Sequence, residues 1–175
     1  VFRSLASKAK QILAGIVGKL QEAFIVLFLS MFKVAFALDK MTSEFKKQTG
    51  IMDGEYTDAI VDTYTELRQY GVTVENAGKS QAALVQGFTN YTMLSKSERA
   101  TILRTTAVLE AQGIAAETTA ASFQVATKIL GETGDQADET VRQISAVARE
   151  LGIAPAQLQK DFAAASGQIA KLGAA

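Results

Sequence analysis

The sequence predicts an all-α protein, and three observations carry that prediction. Proline occurs once in 175 residues, at Pro155, while Ala, Leu, Lys, Glu and Gln abound; these side chains lose little rotamer freedom in a helix. An apolar position recurs at steps of three or four from Leu5 to Phe45. A Gly-aliphatic pair recurs three times, at Gly71-Val72, Gly113-Ile114 and Gly152-Ile153, spaced 42 and 39 residues apart. The expected architecture is a long apolar, amphipathic N-terminal helix followed by about three helical hairpins, assembling as a multi-copy helical bundle. The expected segments are 1–50 for the long basic helix, then 51–92, 93–132 and 133–175 for the hairpins.

The long helix is read from its stripe. Leu5, Ala9, Ile12, Ile16, Leu20, Ala23, Leu27, Met31, Val34, Leu38, Met41 and Phe45 cover forty residues in eleven steps, a period near 3.6 that matches an α-helix. Its middle, residues 23–38, reads AFIVLFLSMFKVAFAL with Lys33 as the only charge. A helix apolar on every side must be covered by protein or lipid. Sixteen residues rise roughly 24 Å as a helix, short of the ~20 residues that a bilayer core requires, and Lys33 opposes insertion. The expected cover is therefore a homo-oligomeric bundle or another protein's lumen, with Phe24, Leu27, Phe28, Met31 and Phe32 as the packing surface. Lys46, Lys47 and then Gly50 give the helix its stop: cations in the last turn, glycine after it.

The hairpins are read from their turns. In a Schellman ending the residue after the last helical turn takes a positive φ, which suits Gly71, Gly113 and Gly152. The next residue then packs four before the glycine, pairing Val72 with Leu67, Ile114 with Leu109, and Ile153 with Ala148. Ten residues after the glycine stand Gln81, Phe123 and Phe162; seventeen after stand Phe88, Leu130 and Ile169. Helix starts are expected at Asp53, at Thr73, at Ser95 with Glu98 as a capping box, and at Asp135 after Gly134. Ala115 and Ala154 are poor caps, although Pro155 suits a first helical position. Such hairpins cannot bury an apolar face singly, so they stack on each other or on other copies.

Composition narrows the chemistry. Cysteine and histidine are both absent, which removes disulfides, thiolate metal sites, Ser-His-Asp catalysis and His-ligated zinc or haem. The densest acidic stretch holds Glu44, Asp53, Glu55, Asp58 and Asp62. A glycosidase pair needs two carboxylates across a sugar cleft, whereas these acids fall where helix starts attract them. Asp53-Gly54-Glu55 is too short for an EF-hand loop, and Gly131-Glu132-Thr133-Gly134 lacks the lysine of a phosphate loop. No catalytic, cofactor-binding or metal-ligating residue is assigned. Residues 1–50 carry eight Lys or Arg against three Asp or Glu, and residues 51–175 carry ten against fifteen. That gives +5 and −5, two regions suited to different surroundings but neither basic enough for specific nucleic-acid binding. No secretory signal is evident.

The segments LRQYGVTVENAGK, LEAQGIAAETTAA and ARELGIAPAQLQK, with the intervening LGETGD and the run AFIVLFLSMFKVAFAL, resemble tape measure proteins of tailed phages and related tail-like particles. The resemblance covers most of the chain and lies in style and periodicity. It implies a structural protein in three or six parallel copies inside the tail tube, setting tail length and assisting genome ejection. It also implies contacts with tail tube and baseplate or tail-tip hub proteins, a transient encounter with the host membrane, and residence in the virion after synthesis in the host cytoplasm. A start at Val1 fits a fragment of a longer chain. Two other readings stay open: a membrane-inserting, pore-forming helical protein, and an adaptor scaffold of stacked helices.

Overall fold

A computed structural model describes the backbone of residues 2–166, and the side chains from Lys19 to Ser166 except those of Leu20, Gln21, Phe24 and Phe28. The described residues are all-helical, with seven α-helices and no strand. The helices are α1 (Phe2–Thr49), α2 (Gly54–Leu67), α3 (Val74–Gly87), α4 (Lys96–Ala111), α5 (Ala116–Lys128), α6 (Gly134–Glu150) and α7 (Pro155–Ala164). The chain divides into two compact units, residues 1–39 and 40–175.

Each helix in the second unit starts for a local chemical reason. Asp53 accepts a hydrogen bond from the Glu55 amide at 2.9 Å and opens α2. Thr73 and Asn76 form a reciprocal capping box at α3, and Ser95 and Glu98 form one at α4. The start of α6 differs from the expectation at Asp135. Thr133 is the cap, accepting from the Gln136 amide, while its own N–H donates to Gln136 Oε1 at 3.0 Å. Gly134 is then the first helical residue, and Asp135 lies in the first turn, where a carboxylate meets the helix dipole. Ala115 supplies no side-chain cap; the Ala116 amide donates instead to Glu110 Oε2 at 2.8 Å, six residues back across the turn.

The turns close through the glycines. Gly71, Gly113 and Gly152 have φ of +86°, +89° and +68°. The Ile114 amide reaches the Leu109 carbonyl at 2.9 Å, and the Ile153 amide reaches the Ala148 carbonyl at 2.8 Å, the long bond of a Schellman ending. The first turn is tighter: Arg68–Tyr70 wind into a 3-10 turn, and the Gly71 amide donates to the Arg68 carbonyl at 3.1 Å. There Val72 and Leu67 are buried together with Ala107.

Helix α3 packs on α2, α4 and α5; α4 also packs on α2, α5 and α6; α5 and α6 pack on each other and on α7. The main core holds Leu84, Phe88, Tyr91, Ile102, Leu103 and Phe123. Phe88 stacks on Phe123 with ring centroids 6.2 Å apart. The positions ten residues after each turn glycine meet different fates: Phe123 is buried, Phe162 is half-buried, and Gln81 is buried despite its amide. Ile169 lies outside the described residues. A second buried amide, Gln159, is satisfied on both atoms. It accepts from the Thr119 hydroxyl at 3.2 Å and donates to Ser145 Oγ at 2.8 Å, tying α5, α6 and α7 together.

The last turns of α1 belong to this unit. Phe45 is buried among Ile60, Ala77 and Ala82 and stacks on Tyr56 at 6.3 Å. Met41 lies against Gly78 so closely that a Cβ there would overlap Met41 Cε. Gly50 follows α1 at φ +71°, its amide bonded to the Lys46 carbonyl at 2.9 Å.

Candidate functional site

Two places carry the residues that sequence reasoning singled out. The first is residues 25–36 of α1. Ile25, Val26, Leu27, Leu29, Met31, Phe32 and Phe36 are each more than half exposed. At 100° per residue, Ile25, Val26 and Leu27 already point to three sides of the helix. Of the expected packing surface, Leu27, Met31 and Phe32 are exposed at 58%, 63% and 63%; the side chains of Phe24 and Phe28 lie outside the described ones. Leaving seven such side chains in water exposes on the order of 700 Å² of apolar surface, spread around the helix, if each contributes about 100 Å². No described helix is long and apolar enough to cross a membrane.

The second place is a small cleft between α2 and α4, lined by Glu55, Asp58 and Asp62 on one side and Lys96, Arg99 and Arg104 on the other. The structure thus brings the expected α2 carboxylates to one wall and sets cations opposite them. Glu55 is engaged: Arg99 holds its Oε1 at 2.5 Å, donates to the Leu94 carbonyl at 2.6 Å, and lies 5.4 Å over the Tyr56 ring. Arg104 meets Glu66 at 2.7 Å. Asp58 and Asp62 are exposed. Below them Tyr91 donates to Gln81 Oε1 at 3.3 Å, and its burial pushes the phenol well above its ordinary pKa. Gln81 Nε2, fully enclosed, meets no acceptor among the described residues. Sequence reasoning missed this Tyr91–Gln81 pair; the one signal was that Gln81 occupies the place that phenylalanine takes in the other two hairpins.

Among the described residues no group of three or more acidic side chains is placed to hold a metal ion. The three turn glycines are structural, each at the end of a helix. No family model matches this chain, and neither characterised proteins nor solved structures provide a match.

Proposed function

We propose that this chain is a structural segment of a tape measure protein. In this reading it acts by packing among other helical chains in a phage-type tail and not by catalysis. One observation supports the reading most: residues 25–36 present large apolar side chains on every side of α1. A helix at the edge of a soluble protein buries one stripe and wets the rest. A helix apolar all round suits a place in which copies lie on one side and a surrounding wall on the other. The tube lumen of a tail provides that place, with Phe24, Leu27, Phe28, Met31 and Phe32 in the packing surface.

In this reading α2–α3, α4–α5 and α6–α7 are three copies of one hairpin. Support comes from the packing: α2, α4 and α6 touch in succession, as do α3, α5 and α7, while each pair is joined by a glycine turn. That is the two-layer order of a helical-repeat stack. The stack would form the body that meets tube, baseplate or tail-tip hub proteins, while α1 runs with its homo-oligomeric copies in the lumen. No cofactor takes part.

Photo-cross-linking in assembled particles tests the reading. A photoreactive side chain in place of Leu27 is expected to capture the tube protein or another copy of the chain. Particles that assemble at normal length without incorporating the chain would overturn it, as would capture of lipid alone.

A further inference from the structure

Helix α3 packs on both α2 and α4, and its Gln81 borders the cleft between them. The cleft offers room of about 70 Å³, roughly five water-sized positions at about 10–15 Å³ each. Gln81 is fully buried. Its Oε1 accepts from the Tyr91 hydroxyl at 3.3 Å, while its enclosed Nε2 meets no acceptor among the described residues. Buried donors are as a rule paired, so a molecule entering the cleft meets an amide N–H that calls for an acceptor. The walls above carry both signs of charge. Asp58 and Asp62 lie one turn apart on α2, and Lys96 is the first residue of α4. All three are exposed, and none forms an ion pair among the described residues. By contrast, Arg99 and Arg104 of the same cleft are taken up by Glu55 and Glu66.

We propose that this cleft binds a small zwitterion, an α-amino acid the size of glycine or alanine. Its carboxylate takes Gln81 Nε2 and Lys96, and its ammonium takes Asp58 and Asp62. The donor set argues against simpler ligands. A bare anion would suit Gln81 and Lys96 but would set its charge against two free carboxylates. A bare cation would suit the aspartates, yet it would leave Gln81 Nε2 unpaired and meet the Lys96 ammonium. A molecule with both charges satisfies all four groups. The carboxylate goes inward, because the enclosed group is the amide donor, and the ammonium stays at the exposed aspartates. A carboxylate is also the stronger acceptor for that N–H, since an ionised partner shortens and strengthens the bond. The residues that line the cleft run from Glu55 to Arg104, so the inference stands or falls apart from the packing role proposed for α1.

Titration calorimetry on the whole chain tests this, with glycine, L-alanine, acetate and methylammonium as separate probes. Glycine and L-alanine are expected to bind saturably at one site per chain, and acetate and methylammonium at least ten-fold more weakly. Gln81→Leu removes the buried donor at similar volume and is expected to weaken glycine binding at least ten-fold, the loss of a hydrogen bond to a charged group. Lys96→Met and the double variant Asp58→Asn/Asp62→Asn are each expected to weaken it as well. These three side chains are exposed, so their variants keep the fold and carry the test should Gln81→Leu fail to fold. Lys79→Met, which changes a cation outside the cleft, is expected to leave binding as it was. Absence of saturable binding by either amino acid would overturn the proposal. Acetate as tight as glycine would mean an anion site, and methylammonium as tight would mean a cation site; either contradicts a zwitterion. Glycine binding unchanged in both Gln81→Leu and Lys96→Met would place any site elsewhere and overturn the assignment.

Discussion

The Glu98 carboxylate joins the starts of two helices, because its Oε1 accepts from the Gly134 amide at 3.1 Å while its Oε2 accepts from the Ser95 amide at 3.0 Å and the Ser95 hydroxyl at 2.7 Å. One anion therefore accepts from amides at the starts of both α4 and α6, and Glu98 lies thirty-six residues from Gly134 in the chain. A Cβ on Gly134 would come within 2.9 Å of Glu98 Cβ and Oε1, so glycine is what lets the two helices approach.

Replacing Glu98 by Ala removes a capping partner from each helix. At about 1 kcal/mol per cap, a loss of roughly 2 kcal/mol is expected, read as a lower urea midpoint with unchanged slope. Gly134→Ala is expected to lose a comparable amount through the forced separation of Glu98 from the α6 amide.

Two carboxyls should give opposite pH dependences. The Ser95 hydroxyl and amide, and then the Gly134 amide, hold the Glu98 carboxyl below its ordinary value of 4.5. Its contribution is thus fully present above pH 4.5 and is lost as pH falls through the lower folded value. Burial pushes Asp138 above its ordinary 3.8 despite Arg142 at 2.8 Å. Its carboxyl favours the folded state most at low pH, and that advantage is lost as pH rises through the higher folded value. Urea midpoints across pH 3–7 are expected to rise less with pH in Glu98→Gln, and to rise more in Asp138→Asn, than in the parent chain.

Tyr91→Phe removes the hydroxyl that Gln81 Oε1 accepts from. With Gln81 Nε2 already lacking an acceptor among the described residues, the whole buried amide would then be unpaired. The expected cost is about 1–2 kcal/mol, and Gln81→Leu in the same background is expected to recover part of it. Equal losses in the single and double variants would show that the pair is not coupled.

Gly113→Ala and Gly152→Ala test the turns without a packing change, since a Cβ at either position meets nothing within 4 Å. The positive φ alone sets the cost, about 1–2 kcal/mol each. Asparagine, which tolerates that region better, is expected to cost less. Equal stability of alanine and parent chains would contradict the Schellman geometry.

Much of this fold was legible because short-range chemistry writes it. Ser95 with Glu98, Thr73 as a cap, and glycine before an aliphatic are local patterns, and each appears in the structure as a cap or a turn. Thr133 with Gln136 carries the same pattern but stood beside Asp135, whose charge drew the boundary two residues late. Contacts across the fold were not legible. Nothing near Glu110 marks it as the cap of Ala116, and nothing near Glu98 points to Gly134. The buried amides of Gln81 and Gln159 defeat a reading that sends polar residues outward. At the candidate site, the apolar run of α1 was plain in the sequence.

The central claim is that α1 is covered by other copies of the chain. The most direct test is the mass of the purified chain in solution, by light scattering in plain buffer and in mild detergent. A homo-oligomer of small fixed copy number, the same in both solvents, is the expected result. A monomer in plain buffer would contradict the claim, and so would a species that stays in solution only with detergent.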